Sequence, residues 1–186
     1  MSRSPASVTR ALDLGCGERA SNPFCADEVY GVDVVFPSDC GAKEVKLADL
    51  AVEPIPFGND FFDFLTAFDF LEHIPRVIYC PHRKNSFVDL MSEVYRVLKP
   101  GGLFLSFTPG YPSEAAFVDP THVNFITLDT LPMNFGERRL ASIYGYTGGA
   151  FQVVKNEWHD WISPPKLVKP GLKNPGKTHI ITILKK

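Results

Sequence analysis

Apolar residues along the chain fall into short runs separated by polar or Gly/Pro-rich stretches. Thr9-Arg-Ala-Leu-Asp-Leu14 reads as a strand that runs into Gly15-Cys16-Gly17. Glu28–Val34 and Glu44–Ala48 read as a second and a third strand. Phe61–Ala67 is apolar on both faces, as a buried parallel strand should be. Helical spacing is clearest over Ser86–Leu98, where positions 87, 90, 91, 94, 97 and 98 make one apolar stripe and Ser86 is the expected cap. Lys99-Pro100-Gly101-Gly102 should stop that helix and turn the chain, and Leu103–Thr108 reads as the fifth strand. Phe151–Trp158 and Thr178–Leu184 complete the pattern.

Strands that alternate with helical or loop crossovers build a mostly parallel sheet wound on both faces. The last two strands are joined by a loop, which makes them an antiparallel pair at the sheet edge. The expected architecture is therefore α/β: a doubly wound, mostly parallel seven-stranded sheet with an antiparallel last strand. The connection between those two strands, residues 163–177, holds four prolines and two glycines, which preclude a helix.

Composition narrows the function classes. The 186 residues suit one compact domain, and no run approaches the ~18 apolar residues of a membrane span. Met1–Pro5 enters a strand-like segment so early that no room is left for a signal peptide, which sets the expectation of a cytoplasmic protein with no membrane partner. Cys16, Cys25, Cys40 and Cys80 form no CxxC pair, so free, mostly buried thiols are expected and no metal site. The net charge of −2 argues against nucleic acid as the main partner. Charge is uneven, however: six lysines (166, 169, 173, 177, 185, 186) and no acid follow Pro165, leaving 13 basic against 21 acidic side chains before it. Either that segment is a solvated loop or it favours an anionic small molecule.

Asp13-Leu14-Gly15-Cys16-Gly17 sits where the first strand ends. Glycines there allow a ligand to approach the backbone closely. Asp33 ends the second strand, where a carboxylate accepts hydrogen bonds from both hydroxyls of a ribose. Gly15-x-Gly17-x-x-Ala20 also satisfies a loose dinucleotide fingerprint. Asp13 discriminates, because a carboxylate at the strand end would repel a pyrophosphate but suits a ligand that carries an ammonium and a sulfonium.

Ala11–Gly17 resembles the glycine loop of the class I (Rossmann-like) S-adenosylmethionine-dependent methyltransferases, and three further segments agree. Leu47-Ala-Asp-Leu50 resembles the stretch after the family's third strand. Ile55–Asp63 with Phe70-Leu-Glu-His-Ile74 is similar to the region around its fourth, and Glu93–Phe104 to the helix and turn before its fifth. The resemblance covers roughly residues 9–108 and implies a three-layer Rossmann-like methyltransferase fold in a single domain spanning 1–186. Residues 9–108 would form the cofactor-binding half and 109–186 the acceptor side. It implies S-adenosyl-L-methionine as cofactor, S-adenosyl-L-homocysteine as product, and Asp13, Gly15, Cys16, Gly17, Asp33, Val34, Asp49, Leu50 and Phe68 as the cofactor site, with Asp49 accepting from the adenine amino group.

The chain departs from the family in three places. Arg19 stands where a third glycine is frequent, and Asn22-Pro23 interrupts a short stretch after Gly17, so two surface helices are expected to be trimmed or replaced by loops. The helix that usually precedes the first strand is missing, which implies an open pocket or one completed by a partner chain, as in a homodimer. Acceptor candidates follow strands four and five, at the strand ends where such a sheet binds substrate: Asp69, Glu72 and His73, then Tyr111, Asp119 and His122. His122, held by Asp119 or Thr121, is the expected general base, with Asp119 and His73 beside it as catalytic candidates. Helix capping by His122 and Asp119 near Thr127 is the structural alternative. Trp158 and Trp161 read as edge-strand packing. The expected reaction is in-line methyl transfer to oxygen or nitrogen of a small-molecule or sugar-type metabolite. An RNA methyltransferase, a nicotinamide-dependent oxidoreductase and an inactive binding module are the alternatives.

Overall fold

The computed structural model describes residues 8–37, 39–79, 81–160 and 177–186. Seven strands form one sheet: β1 (Arg10–Leu14), β2 (Glu28–Asp33), β3 (Glu44–Leu47), β4 (Phe62–Phe68), β7 (Leu98–Pro109), β8 (Gln152–Asp160) and β9 (Lys177–Lys185). Two two-residue strands, β5 (Ile78–Tyr79) and β6 (Arg83–Lys84), pair separately. The large sheet runs in the order β3-β2-β1-β4-β7-β9-β8. Its first five strands are parallel, and β9 is antiparallel to both β7 and β8. The expected seven-stranded sheet with an antiparallel last strand is what forms, with β9 inserted inside the edge strand β8.

One sheet face is covered by α1 (Ser86–Val97), and the apolar stripe read from the sequence is the face it buries: Phe87, Leu90, Met91, Val94, Val97 and the following Leu98 are all inaccessible or nearly so. They join Leu12, Leu14, Val32, Leu65, Ala67 and Phe104 in one core. Each such side chain contributes about 1.5–3 kcal/mol on burial. Ser86 is not the cap; it lies inside the first turn, and Asn85 occupies the cap position without a side-chain bond to the helix. Lys99–Gly102 is not a free turn either. β7 already starts at Leu98, and these residues are a register shift within it, with Gly101 at φ 81°. Two cations finish this layer. Arg96 donates to the carbonyls of Ile55 and Phe57 and pairs with Glu93. Lys186 donates to the carbonyls of Tyr95 and Leu98, two acceptors at the C-terminal end of α1. Lys186 is thus part of the fold and not of a free basic patch.

The opposite face is different. The connections after β1 and β2 contain no helix among the described residues, as the interrupted sequence predicted. The segment after Gly17 lies flat on the sheet instead. Phe24 stacks on Phe64 at 4.6 Å. Cys16 fills the space beside Gly31, where a Cβ would meet its sulfur at 2.6 Å. Asp13 is the brace: its carboxylate is 3% exposed and accepts from the Thr66 hydroxyl (2.6 Å) and the Ser21 N–H (2.7 Å). Cys16 and Cys40 are buried free thiols and Cys25 is exposed, while Cys80, Trp161, Lys166, Lys169, Lys173 and most of the 163–177 connection lie outside the described residues. Burial pushes the Cys16 thiol up to about 12, so it is no nucleophile. Among the described residues no helix is long and apolar enough to cross a membrane.

Burial also raises the Asp13 carboxyl from 3.8 to about 6. The folded chain therefore holds this proton to higher pH than the unfolded chain, and the stability it contributes falls as pH rises from 3.8 to about 6. Set against Asp13→Asn, the wild type should gain about 3 kcal/mol of stability between pH 7 and pH 3.5. Urea unfolding of both proteins across that range measures this, and a pH-independent difference would contradict the burial of the carboxylate.

Candidate active site

The C-terminal ends of the parallel strands carry two neighbouring groups of residues. The first surrounds the glycine loop. Gly15 (φ 68°) and Gly17 (φ 51°) both adopt left-handed backbone. Gly15 is also crowded: a Cβ there would lie 2.5 Å from the Phe70 ring. Asp33 at the end of β2 accepts from the Gly17 N–H (2.9 Å) and the Val35 N–H (3.1 Å), one backbone bond on each oxygen. Each oxygen retains a lone pair, so the carboxylate can still accept two hydroxyls. Asp49 closes a turn after β3, accepting from the Ala51 N–H while its own N–H donates to Glu53. Val34 is 64% exposed beside this loop. The Leu50 side chain is buried in the core, so only its backbone is left for a ligand. Phe68 is half-buried against Phe107.

The second group begins where β4 ends. Asp69 has left-handed backbone (φ 44°), rare for a non-glycine residue, and a turn of 3-10 helix over Leu71–His73 follows. The loop after β7 is fastened over this turn. The Glu72 carbonyl accepts from the N–H groups of both Val123 and Asn124 (2.9 Å each). Buried Asn124 donates to the Leu71 carbonyl and accepts from Arg76. The clamp brings residues 119–122 onto Glu72 and His73, and a cavity of about 1170 Å³ opens between them, β9 and Trp158. That volume suffices for a small metabolite.

The hydrogen bonds fix the protonation pattern in the cavity. The Thr121 hydroxyl donates to Asp119 (2.6 Å), since a carboxylate only accepts, so toward His73 Nδ1 at 3.0 Å it is the acceptor. His73 thus carries a proton on Nδ1, so in its neutral form Nε2 is the nitrogen left to accept. The Thr121 hydroxyl and N–H hold the Asp119 carboxyl below the usual carboxylate range. The side chains of Asp119 and Thr121 therefore hold the His73 ring and not that of His122, whose backbone N–H alone reaches the Asp119 carbonyl (3.1 Å), contrary to the expectation from their spacing. Nor do His122 and Asp119 cap the helix expected near Thr127: Asp119 follows the short α2 (Ala115–Val118), and α3 (Thr130–Phe135) begins after Asp129. His122 stands edge-on to His73, with ring centres 4.9 Å apart, and its Nε2 lies 4.0 Å from Glu72 Oε1. Glu72 is 1% exposed. Its Oε2 accepts from Thr108 (2.6 Å), and burial raises its carboxyl from 4.5 to about 7. Glu72, His73 and His122 each offer a ligand atom, all within 4.8 Å of one another, a grouping that the local spacing of the sequence did not reveal.

β9 adds a residue that sequence reasoning missed. His179 pairs with Pro109 in register, which carries it to the ligand end of the sheet. It stacks on Phe107 at 4.6 Å, and its Nε2 lies 3.1 Å from Asp69. Its position opposite β7 was the available signal. Trp158 and Lys177 also line the cavity, so Trp158 both packs the edge and faces the site.

Comparison with known proteins agrees with the fold. The family described as a methyltransferase domain matches residues 12–106, from β1 into β7. A curated relative, the uncharacterized methyltransferase YcgJ of Bacillus subtilis (strain 168), is 28% identical over 155 residues, covering 71% of this chain and 57% of its own length. The chain thus spans little more than half of that relative. Among solved structures, a SAM dependent methyltransferase from Archaeoglobus fulgidus superposes with a TM-score of 0.63 at 21% identity, over 96% of this chain and 86% of that one. An S-adenosylmethionine dependent methyltransferase from Mesorhizobium loti gives 0.59 at 17% identity, over 96% and 92%. At these identities the superpositions speak for the fold.

The crowding at Gly15 is open to direct measurement. Gly15→Ala should destabilise the protein by about 1–3 kcal/mol through its left-handed backbone, with a further steric cost against Phe70. Combining it with Phe70→Leu should recover the steric part only, a coupling visible in a double-mutant cycle of unfolding free energies. A neutral Gly15→Ala would contradict the close approach.

Proposed function

The chain belongs to the methyltransferase domain family, and from that premise we propose that it methylates an oxygen or nitrogen of a small-molecule or sugar-type metabolite seated in the cavity beside Glu72, His73 and His122. The observation that carries this reading is the juxtaposition of two groups in one stretch of chain. Phe70 touches Gly15 of the glycine loop, and Glu72 and His73 follow it directly into the cavity.

The residues present fit S-adenosylmethionine. Gly17 faces open space where a Cβ would stand, Asp33 keeps lone pairs for two ribose hydroxyls, and Val34 offers an exposed apolar surface to the adenine. Asp49 retains one carboxylate oxygen for the adenine amino group. Asp13 acts through the loop it braces. When bound, S-adenosylmethionine supplies an electrophilic methyl group on a sulfonium, open to in-line displacement. The protein's part is to align the acceptor and to take its proton. His122 is the proton acceptor in this reading, with Glu72 facing the imidazolium that forms. His73 is held by Thr121 and Asp119 as the opposite wall. Lys177 favours an anionic acceptor. An intact proton-accepting cluster argues against an inactive binding module, and the family assignment argues against a dinucleotide.

Asp33→Ala should weaken adenosylhomocysteine binding by about 1.5–3 kcal/mol, measured by calorimetry. Unchanged affinity would place the ribose elsewhere. His122→Ala should lower turnover of a hydroxyl acceptor by ~10²–10⁴-fold with adenosylhomocysteine affinity nearly intact. The assay is transfer of labelled methyl over pools of metabolites, glycans and RNA. Near-normal turnover in His122→Ala, or transfer to RNA alone, would overturn the reading.

A further inference from the structure

We propose that Glu72, His73 and His122 form a binding site for one divalent transition-metal ion. Their ligand atoms already lie within 4.8 Å of one another, whereas the edge of a tetrahedron with ~2.1 Å bonds is about 3.4 Å, so small side-chain movements close the set. One of the donors is left over by the protein itself. Among the described residues, Glu72 Oε1 is buried and has no hydrogen-bond partner, although Glu72 is 1% exposed and lines the cavity, and His122 Nε2 stands 4.0 Å from it. A buried polar atom normally has a partner, and each exception asks for a physical cause.

The third donor is prepared by its neighbours. The chain from Asp119 through the Thr121 hydroxyl to His73 Nδ1 fixes the imidazole tautomer and leaves Nε2 bare. This is the carboxylate-backed histidine arrangement that orients metal ligands and raises their basicity. Thr108 does the same for the carboxylate by holding Glu72 Oε2. Two imidazoles and one carboxylate suit zinc, manganese, iron or cobalt better than calcium or magnesium, which prefer all-oxygen shells. Three protein ligands also leave coordination positions open toward the cavity, where oxygens of an acceptor would bind. With the ion present, His122 would serve as a ligand in place of its role as proton acceptor, and a coordinated acceptor hydroxyl, its pKa lowered by the ion, would release its proton to water in the open cavity. The site itself does not depend on methyl transfer.

The test uses the full chain without an affinity tag, stripped with chelator and titrated with Co²⁺. Saturable one-to-one binding is expected, with the visible absorption of cobalt in a low-coordinate nitrogen and oxygen shell. Glu72→Gln and His122→Gln should each weaken binding about 100-fold or more. Thr121→Val, which removes the hydroxyl linking Asp119 to His73 and leaves all three ligands in place, should weaken it about 10–100-fold. Absence of saturable binding in the wild type overturns the proposal whatever the variants do, and so does wild-type affinity in both ligand variants. Adenosylhomocysteine calorimetry on the same preparation separates the two readings. Cofactor binding without cobalt binding removes the metal site alone, whereas cobalt binding without cofactor binding supports the metal site and removes the methyl-transfer reading.

Discussion

The acceptor side of this protein hangs on Glu72. Its backbone carbonyl takes two N–H groups from the loop after β7, and its carboxylate takes the Thr108 hydroxyl from β7 itself. A single residue in the 3-10 turn that follows β4 thereby fixes where residues 119–122 lie and which side chains meet His73. The arrangement is costly, because a buried carboxylate must be neutralised or given a positive partner. Its pKa near 7 and its unpartnered oxygen are the marks of that cost. Such groups cluster where chemistry is done.

The glycine-loop side is held by a second buried acid. Asp13 fastens the segment after Gly17 to β4 through Thr66, which substitutes for the packing of a helix on that face. A loop laid flat on the sheet covers less than a helix would, and the fold compensates locally with Phe24 on Phe64 and Cys16 against Gly31. Both acids sit at the C-terminal ends of neighbouring strands, so the two halves of the site share the β1–β4 pair as a common base.

Local patterns made the strands, the α1 stripe, the glycine loop and Asp33 legible in the sequence, because each depends on periodicity or on a turn. The loss of helices after β1 and β2 was equally visible, since Asn22-Pro23 and the short spacings leave no room for them. What depended on long-range register was not visible. Asp119 and Thr121 were assigned to His122 because they adjoin it in sequence, yet the clamp on Glu72 turns them toward His73. His179 looked like an ordinary strand residue until β9 was paired with β7. The grouping of His122 with Glu72 has the same origin, whereas the expectation of no metal site rested on the cysteine spacing alone.

The central claim is that the glycine loop and the Glu72–His73–His122 cluster serve one reaction. A crystal structure with adenosylhomocysteine tests it most directly. The account predicts the ribose on Asp33 and the sulfur facing the cluster, with His122 close enough that an acceptor between them could pass its proton directly or through one water. Adenosylhomocysteine bound with its sulfur more than ~10 Å from His122 would contradict it, since proton transfer needs hydrogen-bond reach.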